Sequence, residues 1–284
     1  MTASTGYLIK TSPHQVEAWS AWALPFVHLS TEQSCFREML RDAIGCLDPC
    51  SGLRATYSTV QPRGPDLENL LFYNVGSHPF AKVGKDRIRF ERLVESPLTM
   101  NDQLLHHVCY RIEGEGTLFL ATNGTCLAES SADFPLTLVG NELIARLWKE
   151  FKKNLHVLGA RSSSVGRFAA QIALKAPAER RLDTKMKRLL DAFLSALHSY
   201  SGNQLEDVVR RLASVLHETD QKLLRDLLCD PRLAILEPRR TPHLRAATLQ
   251  WSPADDRLVA AEIIRVPAAA NGPMSARARL FGLP

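Results

Sequence analysis

Aromatic side chains are scarce in this chain, at 7% of residues, which argues against an array of stacking platforms for single-stranded nucleic acid. Long apolar runs are missing too. The longest near the start, Trp22 to Leu29, is interrupted by Pro25 and His28 and falls far short of the ~20 residues that span a bilayer. No basic segment leads into an apolar one, so no secretion signal is read and no membrane partner is expected. None of the six cysteines (Cys35, Cys46, Cys50, Cys109, Cys126 and Cys229) forms a C-x-x-C, and Cys46 and Cys50 lack a histidine partner at finger spacing. Reduced thiols in a cytoplasmic protein are therefore expected. H-E-x-x-H, G-x-S-x-G, S-x-x-K and the Gly-Lys-Ser/Thr ending of a P-loop are also absent, which leaves nucleotide hydrolysis without support.

What is present is charge, and it is sorted along the chain. Residues 1–134 carry 11 basic and 15 acidic side chains. From Arg146 to Arg188, 12 of 43 residues are Lys or Arg, opposed only by Glu150, Glu179 and Asp183. That segment has a net charge of +9, more than the +5 of the whole chain. Such sorting suggests a polyanionic partner more than it suggests a reaction.

The periodicity divides the chain in a similar way. Ser12-Pro13 has the chemistry of a helix start, with Val16, Trp19 and Ala23 on one face. Ser30 with Gln33 reads as a capping box, followed by a stripe of Phe36, Leu40 and Ile44. Strand signals then dominate Leu53 to Leu127, including an alternating Arg87–Leu93, and runs at Val108–Ile112, Thr117–Thr122 and Thr125–Ala128 joined by Gly-rich and Asn-Gly turns. After about Pro135 the period becomes helical. Leu143, Ile144, Leu147, Trp148 and Phe151 mark one face, and further helices follow over Leu182–Leu197, Leu205–Leu216 and Leu223–Leu228. Around Ser252–Val266 helix and strand signals conflict, and the last 16 residues or so have the composition of a loose tail. These patterns predict an α+β protein with a mainly antiparallel sheet and helices in its N-terminal half and an α-helical C-terminal half. The predicted organisation is a sheet-containing region over 1–134, a basic helical region over 135–250, and a terminal element and flexible tail over 251–284.

Two constellations could carry chemistry. Asp66 and Glu68 follow a predicted strand, and on an extended backbone carboxylates two residues apart point the same way. Asp86 precedes another strand and could complete an oxygen-rich Mg²⁺ site. Around Pro65-Asp66-Leu67-Glu68-Asn69 and Asp86 the sequence resembles the RusA-type Holliday-junction resolvases, with Glu68 standing where that family has a second Asp. The resemblance implies a dimeric Mg²⁺-dependent nuclease with metal ligands Asp66, Glu68 and Asp86. The adjacent His106 and His107 point to opposite faces of a strand and cannot readily share a ligand. His78 is an isolated candidate for acid–base work.

The second constellation is the basic block. Lys149, Lys152 and Lys153 lie largely off the apolar face of their helix, Arg161 and Arg167 flank a triple-serine loop, and Arg181, Lys185 and Arg188 begin the next helix. Such a set suits phosphate oxygens. The expectation is a non-catalytic nucleic-acid-associated protein or subunit of a larger assembly, binding through these eight residues without a cofactor. An acidic protein is the other partner they suit, and self-association or a hetero-complex fits the same surface. The alternatives are a Mg²⁺-dependent nuclease acting on DNA through the acidic cluster, and a protein-interaction scaffold.

Overall fold

The computed structural model describes residues 6–60, 66–93, 103–114, 119, 123–135, 137–159, 166–269 and 273–283. In chain order the elements are β1 (Tyr7–Ser12), β2 (Gln15–Ser20), α1 (Thr31–Gly45), β3 (Gly52–Thr59), β4 (Arg87–Arg92) and β5 (His106–Glu113). There follow β6 (Thr125–Phe134), α2 (Gly140–Lys153), β7 (His156–Val157), β8 (Arg167–Ala176) and α3 (Asp183–Ala196). The chain then forms α4 (Leu205–Leu216), α5 (Gln221–Cys229), β9 (His243–Arg245), β10 (Thr248–Gln250), β11 (Leu258–Pro267) and β12 (Met274–Leu283). Among the described residues no helix is long and apolar enough to cross a membrane.

Two compact units result. The first comprises Met1–Phe119 with Arg181–Thr184 and Val259–Ile264, and the second holds the remainder. In the first unit the strand order is β1-β2-β5-β3-β4-β11. β3 and β4 run parallel while the other pairs are antiparallel, so the sheet is mixed. Leu53, Ala55 and Tyr57 of β3, Ile88 and Phe90 of β4 and Tyr110 of β5 are buried on one side. α1 begins at a complete capping box between Ser30 and Gln33, and its Phe36, Leu40 and Ile44 are buried, as the sequence predicts. The predicted helix from Ser12-Pro13 is instead the β1–β2 hairpin, in which Val16 faces Thr11 and Ala18 faces Ile9. There Val16 and Ala18 are buried at a strand period, and this pairing overrides the local Ser-Pro helix signal.

In the second unit β12 lies between β8 and β6, and β7 closes the far edge, all antiparallel. α2 packs on β6 and also contacts α4 and α5. The expected α-helical C-terminal half is therefore corrected: β8, β11 and β12 each contribute ten strand residues there, beside α3, α4 and α5. The expected flexible tail is corrected with it. Ala276, Ala278 and Leu280 are buried while Arg277 and Arg279 are exposed. A period of two built from alanine and arginine carries little hydropathy contrast, yet it suits a strand buried on one face.

Candidate functional site

The carboxylates proposed as metal ligands are not on an extended backbone. Leu67 and Glu68 are helical and continue into a π-helix over Asn69–Tyr73. On a helix, side chains two residues apart diverge. The Asp66 carboxylate accepts from the Asn69 amide at 2.9 Å, Glu68 is buried, and Asp86 is exposed before β4. Among the described residues no group of three or more His, Cys, Asp or Glu side chains is arranged to hold a metal ion. His78 is exposed at the start of a short 3₁₀ turn. His106 and His107 do diverge. The His106 Nδ1 lies 2.7 Å from the Tyr57 hydroxyl, whereas the His107 ring packs at a tilt against Trp19, centroids 4.7 Å apart. Burial lowers both imidazole pKa values below the ordinary histidine range.

The basic block is divided by the fold. α2 is buried on both the sheet side and the helix side, so Lys149 and Lys152 do not lie on a solvated face. Lys149 forms an ion pair with Glu218. Lys152 is 0% exposed, and its ammonium donates to the carbonyl oxygens of Ala196, His198 and Leu233 at 2.9, 2.8 and 2.9 Å. Burial pulls its pKa down to about 7. Arg181 binds the Asp183 carboxylate through two nitrogens, at 3.0 and 2.7 Å, and donates to the Ser77 carbonyl. Lys153 and Arg167 are exposed, and Lys185 and Arg188 are half-buried. Burial, with the like charges of Arg188 and Arg180, weighs against the Lys185 ammonium. Arg161 lies outside the described residues.

A polar sheet face in the first unit holds charges that the sequence reading did not assemble. Arg111, Arg54, Arg89 and Glu262 stand in register across β5, β3, β4 and β11. Three arginines directly opposite one another repel, and Glu262 in the same row, with Glu91 and Glu113 from the neighbouring rows, supplies counter-charge. Arg54 pairs with Glu91, and buried Arg89 reaches Glu262 at 2.9 Å and Glu113 at 3.3 Å. These charges are largely spent on one another, which marks the face as structural.

The open face of the second unit is different. Side chains of β6, β7, β8 and β12 line a groove of about 610 Å³. α2 covers the opposite side of this sheet, where the Ser130 hydroxyl donates to the Phe151 carbonyl at 2.6 Å. Across the groove one row runs His156, Glu129, Arg279, Gln171, and the next runs Ser131, Arg277, Ala173. Alternation places Lys175 and Arg167 of β8 on the same face as Gln171 and Ala173, and both are exposed. By strand register the cations fall in the order Lys175, Arg277, Arg279, Arg167, over about 27 Å at ~3.4 Å per residue. Arg279 and Glu129 lie 3.8 Å apart and are both well exposed, and Arg277 has no ion pair among the described residues. Of the predicted residues that are described, only Arg167 belongs to this track. Lys175, Arg277 and Arg279 were missed; the Arg-x-Arg alternation in Ser275–Arg279 was the available signal.

No family model and no curated protein matches the chain.

Proposed function

We propose that this chain is a non-catalytic, cytoplasmic nucleic-acid-binding protein, or the binding subunit of a larger assembly, that contacts phosphates through the open sheet face of its second unit. The observation that carries this reading is the track of Lys175, Arg277, Arg279 and Arg167 along one exposed face, opposed there, among the described residues, only by Glu129 and Asp133. Arginine on a rigid strand suits phosphate oxygens because its forked donors are already oriented. Among the described residues no Phe, Tyr or Trp lines the groove and His156 is its only ring, so binding is directed mainly at the backbone and carries little base preference. The nuclease alternative lacks a comparable observation, since Asp66, Glu68 and Asp86 do not form a three-carboxylate site.

The test is a filter-binding titration of the full chain with single-stranded oligonucleotides of mixed sequence at two ionic strengths. If phosphates supply the affinity, binding weakens steeply with salt, by about 0.7 in the log–log slope per phosphate neutralised on a single strand. Absence of binding at low salt contradicts the reading.

A further inference from the structure

The groove contains acceptors as well as cations, and a phosphodiester alone has no use for them. Asn154 follows α2, and its side-chain amide nitrogen donates to the Ser131 carbonyl at 3.0 Å. That bond uses one of the two amide hydrogens and leaves Oδ1, which accepts no bond among the described residues, as an available acceptor. The Glu129 carboxylate lies one row away, 3.8 Å from Arg279 and beyond hydrogen-bond length. Both side chains line the groove alongside Arg277 and Arg279. An anionic strand that carries only acceptors would set its oxygens beside these oxygens, at a cost in desolvation and repulsion. A ligand with phosphates for the arginines and hydroxyl donors for Glu129 and Asn154 would satisfy both sets.

We infer that the ligand of this groove is RNA rather than DNA, with ribose 2′-hydroxyls donating to Glu129 and Asn154 while neighbouring phosphates meet Arg277 and Arg279. The inference rests on the nucleic-acid reading above. A 2′-hydroxyl is the one donor that distinguishes the two backbones, and it recurs at every nucleotide, in step with the phosphates. Lining by Ser131 and His156 adds further groups of either hydrogen-bonding sense.

The experiment compares the full chain's affinity for three single strands of matched sequence: RNA, DNA and 2′-O-methyl RNA, which keeps the ribose but cannot donate. RNA is expected to bind on the order of tenfold more tightly than either of the others, the effect of about one hydrogen bond to a charged acceptor. In Glu129→Ala the gap narrows and DNA affinity rises, because a repelling carboxylate is gone. A merely electrostatic Glu129 would raise all three affinities equally. Equal, salt-sensitive binding of RNA and DNA, or 2′-O-methyl RNA binding as tightly as RNA, overturns the inference and leaves the nucleic-acid reading intact. Failure of all three strands to bind overturns that reading itself.

Discussion

At the residue scale, Lys152 ties α2 to two other main-chain segments through one ammonium group. Its acceptors are the end of α3 (Ala196), the residue two beyond it (His198), and the 3₁₀ turn at Leu233. Removing the donor would leave three buried carbonyls poorly satisfied, so Lys152→Met is expected to lower stability by about 3 kcal/mol or more. A urea denaturation midpoint measures this; an unchanged midpoint would show that the acceptors find other partners. Beside it, His198 Nδ1 lies 2.7 Å from the Glu237 carbonyl, and its Nε2 accepts from the Ala254 amide at 3.2 Å. This arrangement fits a neutral imidazole, and burial brings the pKa down to about 4. Between that value and the unfolded value near 6.5, the unfolded chain binds a proton that the folded chain does not. Stability is therefore fully present above about pH 6.5 and is lost as the pH falls towards 4, by about 3 kcal/mol from this residue alone. His106 and His107 shift in the same direction. Urea midpoints recorded from pH 7 to pH 4 should fall steadily; a flat profile would contradict the buried neutral histidines.

At the scale of elements, β12 has the largest consequence. Its ten residues pair with β6 on one side and β8 on the other, so a chain ending after residue 273 loses the centre of the second unit's sheet. Such a truncation is expected to abolish the cooperative thermal transition of that unit, whereas removal of a loose tail would leave it unchanged. The same strand shows why part of the fold was illegible. α1 could be read because its capping box and its Phe36, Leu40, Ile44 stripe are local, complete within 16 residues. β12 could not, because its small buried residues give a weak signal and its partners are distant in sequence. α2 was legible as a helix but not in its surroundings. A stripe of Leu143, Leu147 and Trp148 indicates one buried face, and nothing local indicates that α4 and α5 bury a second one along with two lysines. The hairpin of β1 and β2 failed differently, because Ser12-Pro13 suits a turn as well as a helix start.

Across the whole molecule, the excess of positive charge between Arg146 and Arg188 was visible in the sequence, but charge density did not reveal which cations face solvent. Lys149, Lys152 and Arg181 are engaged by the protein's own carboxylates and carbonyls. The track that remains open draws Arg167 and Lys175 from that segment and Arg277 and Arg279 from the far end of the chain. Sheet register, which no local pattern encodes, brings the two sources together. The acidic triad does not assemble for a related reason: the Asp66–Glu68 spacing suits a metal only on an extended backbone, and Glu68 is already helical. The most direct measurement is the salt dependence of binding to a single-stranded oligonucleotide for the parent chain and for Arg277→Ala/Arg279→Ala. The double variant is predicted to bind more weakly at low salt, with a log–log slope shallower by about 1.4, two phosphate contacts at ~0.7 each. Parent-like affinity and slope in the double variant would contradict the assignment of the binding face.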